Sequence, residues 1–255
     1  MPHRTILDAI DDPGITARLV SRRDALRRSG HLGALLAAAS VPVALAAVAR
    51  GAFAQGIPQS VVEVLNLALT LEYLESELYT RGLAAGSLIP SADRAVFQQI
   101  AKHEAAHVAF LQAALGAAAA PKPVFDLTAR GAFGDVLLNY ATFKALAQAL
   151  EDTGVRAYKG QAANLMASPP ILGAALQIHS VEARHAAEIR RLRGRGAWIS
   201  GNETDAARLV PFYAGEENLL HGGIDLAAGE ANTEAFDEPL GRDRVLALVG
   251  PFIVA

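Results

Sequence analysis

The sequence predicts an all-α protein: a four-helix bundle with one long crossover between helices two and three, preceded by an N-terminal signal and followed by a C-terminal extension. Three observations carry this reading. The chain has 255 residues, 52% of them hydrophobic, which suffices for one sizeable core. Apolar residues recur at three- and four-residue spacing in four separate stretches, the period of a helix with one buried face. The links between those stretches run short, long, short, as a bundle with a single crossover requires. The resulting division is an export signal over residues 1–54, the bundle over 55–195 and the extension over 196–255.

The signal comes first. "SRRDALRR" (Ser21 to Arg28) carries twin arginines, an apolar run follows from Leu32 to Ala49, and "AFAQ" offers a small-residue cleavage site after Ala54. The pattern resembles a twin-arginine export signal, with Ala25 where an aromatic is usual and Arg27 where a lysine is usual. The expected destination is the periplasm, reached through the export machinery. A retained membrane anchor is the alternative, because the apolar run is about long enough to span a bilayer. Removing residues 1–54 takes away seven Arg and four Asp, leaving 16 basic against 22 acidic residues and a net charge of −6 in place of −3. Such a chain has no basic footprint for nucleic acid. It contains no cysteine, which excludes disulfides, zinc–thiolate sites and iron–sulfur clusters, so any metal must be held by His, Asp and Glu.

Helix one is expected from Ser60, with Glu63 three residues later as a capping box, to about Gly82. Its Leu65, Leu69, Glu72, Ser76 and Tyr79 share a face, which puts Glu72 on the buried stripe and turns Glu75 and Glu77 elsewhere. Ser91 opens helix two after Pro90; Phe97, Ile100, Glu104, His107 and Leu111 form its stripe, and Gly116 ends it. "GAAAAPKPVFDLTARGAFGD" has no helical period and reads as the crossover. Helix three covers about Leu138 to Asn164 and presents Lys144, Ala147, Glu151, Gly154 and Tyr158. Ser168 caps helix four, with Pro169 suited to its first turn. The stripe there is Ala175, Ile178, Glu182, His185, Ile189 and Leu192, closed by Gly194 and Gly196. One further short amphipathic helix is expected near Arg242 to Val249.

The stripes repeat. Glu72 is followed seven residues on by Tyr79 and 32 on by Glu104 with His107; Glu151 is followed seven on by Tyr158 and 31 on by Glu182 with His185. The two hairpins therefore read as copies related by a pseudo-twofold axis. Bringing the stripes together collects Glu72, Glu104, His107, Glu151, Glu182 and His185 into a dinuclear carboxylate site, in which each Glu-x-x-His pair sits on adjacent turns of one helix face. Four carboxylates carry a charge that two divalent ions neutralise; burying them without metal or protons would cost several kcal/mol per ion. Tyr79 and Tyr158 lie about 10.5 Å along the axis from their own Glu residues, too far to ligate by register alone. Their hydroxyls lean back towards the N-terminus and either reach a carboxylate lying behind the ligands or sit as satisfied core aromatics. His103 points about 100 degrees from Glu104 and is expected at the surface. His179 is matched by Ala101 in the first hairpin, which argues against a ligand role; Arg184 is either an outer partner or a surface charge.

These residues resemble the ferritin-like superfamily over residues 60 to 193. "LNLALTLE" is similar to the first-helix motif of bacterioferritins, and "KHEAAH" and "EARH" to the superfamily's ligand pairs. A closer resemblance is to the bacterial ferritin-like domain proteins that include plant desiccation-related proteins, through "LEYLESELY", "LEDTGVRAYKG", "VEARHAA" and "AFDEPL…VLALVGPF". The resemblance implies a ferritin-like fold with the six ligands named above.

It leaves the function between two expectations. One is a redox protein in which two iron or manganese ions react with dioxygen or peroxide, as a ferroxidase, peroxidase or manganese-catalase-like enzyme; oxygen and imidazole donors suit both metals. The other is a non-catalytic, metal-stabilised stress or desiccation protein of the cell envelope. Iron storage needs a cage, and the extension departs from the short fifth helix of a storage subunit. That extension is expected either to pack over the bundle or to form a homodimer contact.

Overall fold

The computed structural model describes residues 57–202, 205–226 and 233–254; the predicted export signal lies outside the described residues. Four long helices form the bundle: α1 (Gln59–Ala84), α2 (Ser91–Leu115), α3 (Tyr140–Gln161) and α4 (Pro169–Leu192). α1 packs against α2 and α3 against α4, giving two hairpins that meet mainly along α1 and α3. The long crossover joins α2 to α3, as the connection lengths predict.

Local chemistry sets the helix ends. α1 starts one residue before the expected Ser60, because Pro58 occupies the cap position, and its carbonyl accepts from the amides of Val61 and Val62 at 2.9 and 3.1 Å. The Ser60–Glu63 capping box does not form; Glu63 instead accepts from the Gln59 amide at 3.3 Å. Gly116, with φ of 55°, ends α2 in the left-handed region that favours glycine. α3 is shorter than its pattern suggested at both ends. Asn139 caps it, its side chain accepting from the Ala141 and Thr142 amides, and this leaves Leu138 outside the helix and 87% exposed. At the far end the chain tightens into a 3₁₀ turn, Ala162–Leu165. Ser168 stands at the α4 cap position without a side-chain bond, so Pro169, whose missing amide costs nothing in the first turn, fixes that start.

The tail packs over the bundle. It contains the short helices α5 (Val210–Tyr213) and α6 (Arg242–Val249), the latter as expected from sequence. It also forms short ladders that the sequence did not announce: β2 (Leu220–His221) pairs with β3 (Ile224–Asp225), and β4 (Ile253–Val254) pairs antiparallel with β1 (Val124–Phe125) of the crossover. The end of the chain therefore holds the crossover in place. Phe252 stacks on Phe133, whose ring also meets Phe212 edge-on. On the α3 side, the guanidinium of Arg156 is buried among Phe212, Ala214, Glu216 and Glu238, and Asp152 accepts from Arg190 at 2.5 Å and Tyr213 at 2.7 Å.

The tail lies so close to α3 at Gly160 that a Cβ there would meet the Leu240 carbonyl oxygen at 2.1 Å. Gly160→Ala is expected to push the tail away and destabilise the protein by about 1–3 kcal/mol, the usual cost of overpacking. A denaturation midpoint equal to that of the unaltered protein would contradict this close approach.

Candidate metal centre

The bundle geometry gathers the six predicted side chains at one level. Glu72, Glu104, Glu151 and Glu182 are all 0% exposed, and His107 and His185 are buried beside them. Two sets of four could each hold an ion, with donor atoms all within 4.8 Å of one another: Glu72, Glu104, His107 and Glu182 form one, and Glu104, Glu151, Glu182 and His185 the other. Glu104 and Glu182 belong to both. The arrangement is twofold in its details. His107 Nδ1 lies 3.1 Å from Glu72 Oε2 and 3.0 Å from Glu182 Oε1; His185 Nδ1 lies 3.2 Å from Glu151 Oε2 and 2.9 Å from Glu104 Oε1.

The tyrosines cross between hairpins. The Tyr79 hydroxyl donates to Glu151 Oε1 and that of Tyr158 to Glu72 Oε1, each at 2.5 Å. Each therefore serves the carboxylate of the opposite copy. One oxygen of each end carboxylate is thus held from outside, which leaves Oε2 facing the histidine and the shared interior. Helical side chains lean towards the N-terminus, and that lean lets a residue two turns beyond its own Glu meet the antiparallel partner's.

Two neighbours differ from the sequence expectation. Glu75 does not turn away from the core; it is 1% exposed, because α1 is covered by both α2 and α3 and buries more than one stripe. His103 is not a free surface residue either. Its Nδ1 lies 2.9 Å from His185 Nε2, the rings stack at 5.1 Å, and its Nε2 meets the Gln99 amide at 2.7 Å. One of the two imidazoles thereby orients the other, which fixes the His185 nitrogen turned to the centre. The available signal was its spacing, four residues before His107 and so on the same face. His179 is half-buried and joins neither set of donors, and Arg184 is exposed, bonded to Ser180 at 3.5 Å. Glu77 is turned away as expected and pairs with Lys122.

Without cations the centre must hold protons. Burial pushes Glu104 up to about 8, helped by the charge of Glu182, and lifts Glu182 and Glu151 as well. Burial opposes a charged His185, but Glu151 and its neighbours outweigh that and raise it to about 11; His107 moves the same way beside Glu72. Burial also acts against ionised Glu72, yet the His107 charge and the bonds from His107, Glu104 and Tyr158 leave it below the usual range. Groups raised in this way stabilise the fold fully below their unfolded values and lose that contribution as pH rises through the folded ones. The metal-free protein is therefore expected to lose thermal stability as pH rises from about 5 to about 8, the window between the ordinary glutamate value and that of Glu104 in the fold, with the Glu104 contribution levelling off above 8. Metal-loaded protein, whose ligands are already deprotonated, should not show that loss. Calorimetry of both forms checks this, and a metal-free melting temperature that rises across the window contradicts it.

The donor set fits a metal pair. Glu104 and Glu182 are wholly buried, and their oxygens meet the imidazoles of His107 and His185 at 2.9–4.0 Å, so that two imidazoles serve four buried carboxylates. A buried carboxylate left in that state is costly, and a cation between the oxygens removes the cost. Oxygen and imidazole donors without thiolate are the set that iron and manganese accept. No curated protein matches the chain. The family model described as a ferritin-like domain matches residues 60–195, the whole of the bundle from α1 to the end of α4. This chain belongs to the ferritin-like domain family.

Proposed function

We propose that the protein is an exported redox enzyme whose six buried side chains hold two iron or manganese ions that react with dioxygen or peroxide. The observation that carries this reading is that Glu104 and Glu182 are common to both four-residue sets, as two carboxylates bridging a metal pair would be. Such a pair supplies two electrons when bound, enough to take dioxygen to peroxide or peroxide to water, in a ferroxidase, peroxidase or manganese-catalase-like reaction.

The protein's own part is to position and to exclude. Glu72 and His107 hold one end, Glu151 and His185 the other, and the tyrosine hydroxyls keep the end carboxylates from rotating. Leu69, Leu74, Leu78, Phe97, Leu146 and Leu150, all fully buried, keep bulk water from the bundle interior. The half-buried His103 connects His185 towards the exterior by a hydrogen bond, a path that leads a proton off the centre without opening the core, and the Gln99 amide holds the His103 ring in place.

Export is part of the proposal. It is supported by the twin arginines at Arg22 and Arg23, the apolar run that follows and the Ala-Phe-Ala site. A twin-arginine route carries folded chains, so the site would be filled in the cytoplasm before copper and zinc, favoured by affinity alone, could compete in the periplasm. A second reading, a non-catalytic metal-stabilised stress or desiccation protein, is favoured by the enclosure of the centre: all four carboxylates are fully buried. The separating experiment loads purified protein anaerobically with ferrous iron or manganese and then supplies dioxygen or peroxide. Catalytic consumption that Glu182→Ala abolishes supports the enzyme. A protein that binds two metals and consumes neither oxidant is the stabilised scaffold instead.

A further inference from the structure

The twofold pattern of the centre has one break in it. Glu75 stands three residues after Glu72, and Gly154 stands three after Glu151, so the repeat that pairs Glu72 with Glu151 pairs Glu75 with Gly154. The two positions touch. A Cβ built on Gly154 would lie 3.3 Å from Glu75 Oε1 and 3.4 Å from Glu182 Oε2. Positions that a twofold axis exchanges and that touch each other must lie close to that axis, where one long side chain fits and two do not. A glycine in the middle of a helix costs about 1 kcal/mol relative to alanine, and here its missing side chain makes the room that Glu75 occupies.

Glu75 has the marks of a ligand rather than of a structural acid. It is 1% exposed, and its Oε1, the oxygen beside Gly154 and on the Glu182 side, accepts no hydrogen bond. Among the described residues no cation forms an ion pair with it. A carboxylate buried in that state must hold a proton or meet a cation; burial and the charges of Glu182 and Glu151 push Glu75 well above the ordinary range, and a metal pair held by its neighbours is the cation that would take the place of that proton.

We propose that Glu75 is a fifth carboxylate ligand of the centre, approaching the metal pair from the pseudo-twofold axis through the space that Gly154 leaves open. The proposal rests on the reading that the other six residues hold two metal ions. With Glu75 the ligand set carries five negative charges, one more than two divalent ions neutralise, so it favours a pair containing a trivalent ion. Glycine at 154 is required by the same arrangement, since the axis admits one carboxylate.

The test uses full-length protein reconstituted anaerobically with ferrous iron, followed by metal analysis and a redox titration. Glu75→Gln keeps the size of the side chain and removes the anionic donor. It is expected to retain two irons but to shift the ferric-to-ferrous balance at least about tenfold towards ferrous, an upward move in midpoint of about 59 mV for a one-electron step. The exchange variant, Glu75→Gly with Gly154→Glu, moves the carboxylate to the other side of the axis and should restore the original midpoint. An unchanged midpoint in Glu75→Gln overturns the proposal, as does an exchange variant that binds two irons with the midpoint of the glutamine variant. Either variant decides alone if the other folds poorly. Failure of the unaltered protein to bind two irons would instead remove the metal-pair reading itself, whatever Glu75 does.

Discussion

Glu104→Ala should abolish the stabilisation that metal confers and leave the metal-free fold intact or more stable. Glu104 is the sharpest place to test the centre because it belongs to both sets of donors; its loss removes a ligand from each ion at once. In the unaltered protein, metal at about 100 times its dissociation constant adds about 2.7 kcal/mol per site. For a chain of this size each kcal/mol moves the melting temperature by about 2–4 °C, so one site is worth roughly 5–10 °C. The variant should show almost none of that shift. Its metal-free form should gain, because one of several mutually repelling buried carboxylates has gone and Glu182, raised by burial and its neighbours, is relieved of a shared charge problem. Scanning calorimetry with and without manganese reads both effects. A variant whose metal-induced shift matches that of the unaltered protein would mean that Glu104 binds no metal, whereas a metal-free form that collapses would make it a structural residue.

The six donors were legible because helical spacing and repetition reinforce each other: a Glu-x-x-His pair recurs on two apolar stripes, each preceded at the same distance by a lone stripe-centred Glu. The reach of Tyr79 and Tyr158 was only half legible. Their distance from Glu72 and Glu151 in sequence is two turns, and only the antiparallel packing of α1 against α3 hands each hydroxyl to the other copy. Glu75 was misplaced because one stripe per helix was assumed, and a helix covered by two neighbours has two. Its trace in the sequence is the glycine opposite it, at the one position where the repeat exchanges a carboxylate for no side chain. The end of α1 nearest Pro58 shows the reverse case, where a local motif, Ser60 with Glu63, lost to the fixed geometry of a proline two residues earlier. The two-residue strands of the tail carry no period to detect. They exist because the crossover and the chain end lie side by side.

The same tail explains why α3 is buried along almost its whole length, from Thr142 to Tyr158, although its sequence shows one stripe. One side faces the bundle; the other is covered by residues 205–226 and 233–254, held at Arg156. Its guanidinium is 1% exposed and donates to the carbonyl oxygens of Glu238, Phe212 and Ala214 at 2.8, 2.5 and 3.2 Å, and it pairs with Glu216 at 2.5 Å. Burial lifts Glu216 to about 7 in spite of that pairing, so the carboxylate depends on the arginine for its charge. Arg156→Met is therefore expected to cost about 3–5 kcal/mol, the penalty of a buried charge left alone, which is roughly a 6–20 °C fall in melting temperature. Arg156→Met combined with Glu216→Gln removes the abandoned charge and should recover part of the loss, the remainder belonging to the three unpaired carbonyls. Limited proteolysis should find the tail cleaved before the bundle in the single variant. A double variant no more stable than the single one would show that the carbonyls, not the ion pair, fasten the tail. A single variant that loses less than about 1 kcal/mol would show that Arg156 does not fasten it at all.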